Sequence, residues 1–377
     1  MKKVILACVF VAAAAPAFAQ LGGIGGGLRK AQQARETKQK LDDLNVTEEE
    51  ERKIGEDVSA KIRQRFGVVQ DPAVHKYVST VGLLLARESE RPALAWSFVV
   101  LDTDGVNAFA SPGGIVHITR GALGLIRNEA ELAGVLGHEI GHVAHKHAVG
   151  AIRKNKAVQL GTSEALSDRG LFLDQMANKM YEVILENSFD RGDELDADKQ
   201  AVQLTQKAGY ASGGVADFLT RLDDRNKDQP ARNGLFASHP ETKERIEKVR
   251  QLAAASKSVA TVEPRYKASI KYEPTPLARI ATVEDGASGL TGSSDGKDDR
   301  KAADQKGKGE EPKRKGFGLG NLKGTATPEK QSTQQVSASG GARGIGEDRA
   351  AKGGGNPNLV KVTVSAADVD AFKKGIA

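Results

Sequence analysis

From residue 46 onward, apolar positions recur at helical spacing. Ile54, Val58, Ile62 and Phe66 follow Thr47-Glu-Glu-Glu50, which reads as a capping box, and Val74, Tyr77, Val78, Val81 and Leu84–Leu85 mark a second helix around Ala73–Glu88. The period then changes. Trp96-Ser-Phe-Val-Val-Leu101 is β-branched and aromatic, and Asp102-Thr-Asp-Gly105 closes it as a turn, so it reads as a strand. Asn107-Ala-Phe-Ala-Ser-Pro-Gly-Gly114 reads as a compact loop, Ile115–Thr119 as a second short strand, and Gly121–Ile126 as the apolar segment it leads into. Asn128 with Glu131 gives a cap-like start to a long helix running to about Val149. Helices are also expected over 170–187, 191–207, Val215–Leu222 and Pro240–Ala254. The pattern predicts a mainly α fold with a small β-sheet or hairpin inserted before the main helix.

The flanks have a different character. Lys2 and Lys3 precede an apolar run from Val4 to Ala15, and Ala17-Phe18-Ala19 before Gln20 has the small-x-small form of a signal peptidase site. Residues 1–19 therefore read as a cleaved signal peptide and place the mature chain in the periplasm. The run is too short for a bilayer span. Residues 20–45 read as a flexible or helical lead-in and 256–285 as an extension. Glycine, lysine, aspartate, serine and glutamine dominate 286–355, which predicts a disordered linker. Pattern returns in 356–377, a small module with a strand at Leu359–Val364 and a capped helix at Ser365–Lys374 that docks on the body or on a partner.

Composition narrows the function classes. The single cysteine, Cys8, lies in the apolar run, so the mature chain has no thiol or disulfide chemistry. The net charge of +6 arises from 55 basic and 49 acidic side chains, a mixed surface without the concentrated basic face of a nucleic-acid binder. The few aromatic residues build no stacking platform for bases.

The chemistry concentrates in His138-Glu-Ile-Gly-His-Val-Ala-His-Lys-His147, which holds four of the seven histidines. On a helix, His138 and His142 present two imidazoles on one face. Glu139 beside them is the unligated carboxylate that takes a proton from a metal-bound water, the arrangement that suits zinc hydrolysis. Residue 145 is His rather than Gly and residue 148 is Ala rather than His, so the third ligand comes from another segment. The best candidate is Glu194 in Asp193-Glu-Leu-Asp-Ala-Asp198. It shares a helix face with Asp198, which can accept a hydrogen bond from the distal nitrogen of a ligating histidine. Asp190, Asp193 and Asp196 read as surface or cap residues. His117, His145 and His147 read as ordinary surface or hydrogen-bonded histidines, and His75 as a helix-surface residue.

Several further features make the chain resemble a known family. These are Asn107-Ala-Phe-Ala with Pro112-Gly-Gly114, Gly121, Glu131-Leu-Ala, His138-Glu-Ile-Gly-His142, Glu194-x-x-Ala-Asp198, and Ser238-His-Pro240 with Arg245-Ile246. Together they resemble the HtpX-like and CAAX-prenyl-protease-like zinc metallopeptidases, especially the soluble periplasmic branch involved in outer-membrane protein quality control. The resemblance implies a zincin-like metallopeptidase domain over 46–255 with one zinc per chain, held by His138, His142 and Glu194. It makes Glu139 the general base, sets Asp198 behind the ligands, and brings the 107–118 segment beside the cleft as the edge strand that aligns substrate. It also places His239 near the cleft, as an oxyanion donor, a cap on the metal or a structural helix cap. The implied substrates are unfolded or misassembled envelope polypeptides, with a peripheral membrane or envelope-assembly partner. Ser111 stands where family members often carry Leu. Tetratricopeptide repeats follow the protease domain in the best-known periplasmic relatives, and none is readable here. The competing reading is a peptide-binding, chaperone-like envelope protein with latent or minor proteolysis.

Overall fold

A computed structural model describes residues 46–154, 168–186, 189–226, 242–276 and 356–376. The signal peptide, the lead-in, His239 and the linker at 286–355 lie outside the described residues. The helices are α1 (Glu48–Phe66), α2 (Pro72–Ala86), α3 (Arg120–Leu125), α4 (Glu129–Ala144), α5 (His147–Lys154), α6 (Arg169–Glu186), α7 (Arg191–Ala208), α8 (Gly214–Asn226), α9 (Thr242–Ala253), α10 (Glu263–Ser269) and α11 (Ala366–Lys374). The strands are β1 (Ser97–Leu101), β2 (Ala108–Ser111) and β3 (Ile115–Thr119). No helix among the described residues is long and apolar enough to cross a membrane.

The fold is mainly helical with one small mixed sheet, as the pattern predicts. The order β1-β3-β2 makes β3 the central strand, parallel to β1 and antiparallel to β2. The segment expected as a loop at 107–114 is thus a strand and a turn. Ala-Phe-Ala-Ser lacks the β-branched residues that signal a strand, yet Ala108 to Ser111 pair with Ile118 to Ile115. Pro112–Gly114 then reverses the chain as a single 3₁₀ turn, with Gly113 at a left-handed φ of 73°. A Cβ built there would lie 2.6 Å from Arg52 Cα, so the turn sits directly on α1.

Alternation divides the sheet into two faces. Phe98, Val100, Val116, Ile118 and Ala108 enter the main core with α2, α4, α7 and α8. On the opposite face His117 pairs in register with Val99 and Phe109; Phe109 stacks on Phe66 of α1, and Ser59 of α1 lies 2.9 Å from His117 Nε2. Burial holds His117 down at about 3. His75 is also buried rather than on the surface: its Nε2 lies 2.8 Å from the Val69 carbonyl, because the chain before α2 folds over it.

The expected long helix to Val149 is two. α4 ends at Ala144, Lys146 takes a left-handed φ of 56°, and α5 begins at His147. Lys146 Nζ bonds the buried Glu51 carboxylate at 2.9 Å, and Arg91 joins Glu51 at 2.7 Å while donating to the Val143 carbonyl at 3.3 Å. The C-terminal segment has no strand at Leu359–Val364, but α11 forms with a Ser365–Asp368 capping box.

Candidate metal centre

Asn128 accepts a hydrogen bond from the Glu131 amide and starts α4, which carries His138, Glu139 and His142 into the interior. Asp190 caps α7 by accepting from the Asp193 amide and so directs Glu194 and Asp198 at α4. The two helices approach closely because small residues line the seam. A Cβ on Gly137 would lie 3.2 Å from Ala201 Cα, and one on Gly141 would lie 3.1 Å from Ala197 Cα.

Across that seam His138 Nε2 and His142 Nε2 are 3.1 Å apart. Glu194 Oε2 lies 3.6 Å from the first and Oε1 lies 3.4 Å from the second. Nitrogen and oxygen donors about 2.0–2.1 Å from a tetrahedral zinc stand roughly 3.3 Å apart. The observed spacings straddle that value, and the donors are two imidazoles and one carboxylate. This buried set is able to coordinate a metal ion.

The neighbouring charges hold the set in place. Asp198 Oδ1 lies 2.9 Å from His138 Nδ1, which fixes the ring with Nε2 facing Glu194. Arg245 of α9, itself buried, forks onto Asp198 at 2.8 and 2.7 Å and reaches Glu194 Oε2 at 2.8 Å. Burial alone would raise Asp198, but the Arg245 charge and hydrogen bonds, with His138, hold it at about 2. Burial drives His138 down to about 3, keeping the imidazole neutral as a ligand must be. Burial pushes Glu139 up to about 7.

A second chain of contacts runs outward from His142. Its Nδ1 lies 3.0 Å from His147 Nδ1, and His147 Nε2 lies 3.2 Å from Asp196 Oδ2. Phe189 packs against the His142 ring, tilted by 33° with centroids 4.3 Å apart. The structure thus brings His138, Glu139, His142, Glu194 and Asp198 together. His147 and Asp196, read from sequence as an ordinary histidine and a surface or cap residue, join the same network. Arg245, singled out in the sequence only within the resemblance, is its central cation. Its signal was present in α9, where Ile246 and Val249 face the core beside it: an arginine on a buried face needs carboxylates opposite.

Residues 72–253 match the model of Peptidase family M48. The chain is 24% identical over 217 residues to the beta-barrel assembly-enhancing protease of Yersinia pestis, covering 54% of this chain and 44% of that one. It is 28% identical over 165 residues to the metalloprotease YcaL of Escherichia coli, covering 43% and 63%. To the mitochondrial metalloendopeptidase OMA1 of Schizosaccharomyces pombe it is 26% identical over 204 residues, covering 53% and 60%. The chain spans less than half the length of the beta-barrel assembly-enhancing proteases it matches.

Proposed function

We propose that this protein is a zinc-dependent metalloendopeptidase of the cell envelope that hydrolyses unfolded or misassembled polypeptides. The observation that carries the reading is the convergence of His138, His142 and Glu194 at 3.1 to 3.6 Å with the buried Glu139 on the next helical position. The family match over 72–253 and the protease names of the relatives support the reaction. In this reading His138, His142 and Glu194 hold the metal, with Asp198 and Arg245 behind them. Zinc bound there supplies a Lewis acid that polarises the scissile carbonyl and acidifies water.

The protein's own groups do the rest. Glu139, whose burial favours proton uptake near neutrality, accepts the proton of the attacking water and passes it to the departing amine. Asp198 holds the proton of His138 Nδ1, so that Nε2 keeps its lone pair for the metal. The β2 strand edges the sheet among the described residues and packs against α4; its four residues are buried, so main-chain pairing with an extended substrate requires the segments covering it to move aside. Such pairing is indifferent to side chains, so client choice falls to accessibility. His239 is proposed as a donor to the developing oxyanion.

The decisive comparison is wild type against Glu139→Gln on unfolded casein, with zinc content measured on both. The variant should keep one zinc per chain and lose about 10²-fold or more of cleavage. Equal cleavage overturns Glu139 as the base. Substrate binding without cleavage by the zinc-loaded wild type favours a chaperone-like protein instead.

A further inference from the structure

The turn between α4 and α5 does more than end a helix. Because Lys146 is left-handed, the residues on either side of it both face α7. His145 Nδ1 contacts Asp196 Oδ2, and His147 Nε2 reaches the same carboxylate oxygen at 3.2 Å. Donor atoms from His145, His147 and Asp196 all lie within 4.8 Å of one another. Asp193 Oδ1, 4.0 Å from His147 Nε2, stands at the rim. His147 is buried, whereas His145 and Asp196 are partly exposed, so an ion has a path from solvent. Glu51, through Lys146, holds the turn in place.

We propose that His145, His147 and Asp196 form a second, outer site for a divalent transition metal, and that filling it weakens metal binding at the inner His138–His142–Glu194 set. Two imidazoles and one carboxylate suit zinc and its borderline neighbours rather than calcium or magnesium, which prefer all-oxygen shells. The antagonism rests on the proposed role of His142 as an inner ligand and follows from proton placement. A metal on His142 Nε2 leaves the ring proton on Nδ1, and that proton points at His147 Nδ1 only 3.0 Å away. The bond forms when His147 carries its own proton on Nε2, facing Asp196. A cation on His147 Nε2 moves that proton to Nδ1, and two N–H groups then oppose each other. Loss of a ligand's outer hydrogen bond typically costs 10- to 100-fold in metal affinity. By linkage, filling the inner set weakens the outer site by the same factor, so the second equivalent binds more loosely than the outer site would alone.

Zinc alone is the probe, titrated into the intact mature chain with bound metal measured by equilibrium dialysis and casein cleavage followed in parallel. The wild type should bind two equivalents in separate steps, with cleavage rising through the first, and its second step should be 10- to 100-fold weaker than the outer step of a variant that lacks the inner set. His145→Ala should keep the first step and the basal cleavage while losing the second step. His142→Ala should lose the tight step and keep the outer one, which separates this site from the peptidase reading. A wild type that stops at one equivalent with zinc in millimolar excess overturns the site, as does a His145→Ala variant that still binds two. A second step in the wild type as tight as the outer step of His142→Ala overturns the antagonism.

Discussion

Arg245 shows how far a single residue reaches in this protein. Its guanidinium is buried, forks onto Asp198 and touches Glu194, so one cation offsets two interior carboxylates. Removing one partner of such a group leaves uncompensated charge, a loss of about 3–5 kcal/mol. Arg245→Met should therefore lower the melting temperature by roughly 10 °C or more in a domain of this size, with Arg245→Lys between it and the wild type. A melting point within a degree of wild type for the Met variant would refute the pairing. The sign of the pH dependence follows from Asp198, whose native value of about 2 lies below its ordinary one. Its contribution is complete above the ordinary carboxylate range and is lost as pH falls through about 2, and the Met variant should lack that component. His138, His142 and Glu139 were legible in sequence because they lie within one turn of one helix. Arg245 carried a signal on its apolar helix face, but its partners were not legible, since they sit 47 and 51 positions upstream in another helix.

The helix pair α4–α7 converts spacing along the chain into donor geometry. Gly137 and Gly141 are poor helix formers, each costing about 1 kcal/mol against alanine, and the gain is close approach. At Gly141 a Cβ would meet Gln200 Cβ at 3.0 Å and Ala197 Cα at 3.1 Å, about one turn from Glu194 and next to Asp198. Gly141→Val adds branches that have no room, so α7 must move outward and draw Glu194 from the two histidines. Zinc affinity, measured by competition with a chelator, should fall about tenfold or more. Gly150→Ala on α5, where nothing lies within 4 Å, should leave it unchanged. Affinity unchanged in Gly141→Val would mean that the seam does not set the donor spacing. Helix identities were readable from periodicity because each apolar stripe is local. The break at Lys146 was not, because a left-handed lysine has no local signature and is held by Glu51 from α1. Strand β2 escaped for a related reason: its evidence lies in its pairing with β3 rather than in its own residues.

Across the whole molecule, the first residue of the metal-bearing helix anchors the far end of the chain. Glu129 accepts from Tyr77 at 2.9 Å, from Tyr210 at 3.0 Å, and from Arg265 at 2.5 and 2.6 Å. Arg265 in turn stacks over Phe372 of α11, 3.8 Å from its ring centroid, and donates to the Phe372 carbonyl at 3.1 Å. Val369 and Ile376 are buried beside it, Asp370 pairs with Arg87 at 2.6 Å, and the Asn356 carbonyl accepts from Val68 at 2.8 Å. The C-terminal module thus docks on the body. These contacts gather at the start of α4, whereas His138 lies nine residues further along the same helix. Stability and metal binding should therefore separate. Phe372→Ala removes a partly buried ring and the cation–π contact, a cost of about 1–3 kcal/mol, while the donor set is untouched. Thermal denaturation should show a melting point lower by several degrees, and metal analysis should still find one zinc per chain. Loss of zinc without loss of stability would show that the module acts on the site itself, and an unchanged melting point would show that its docking contributes nothing to the fold.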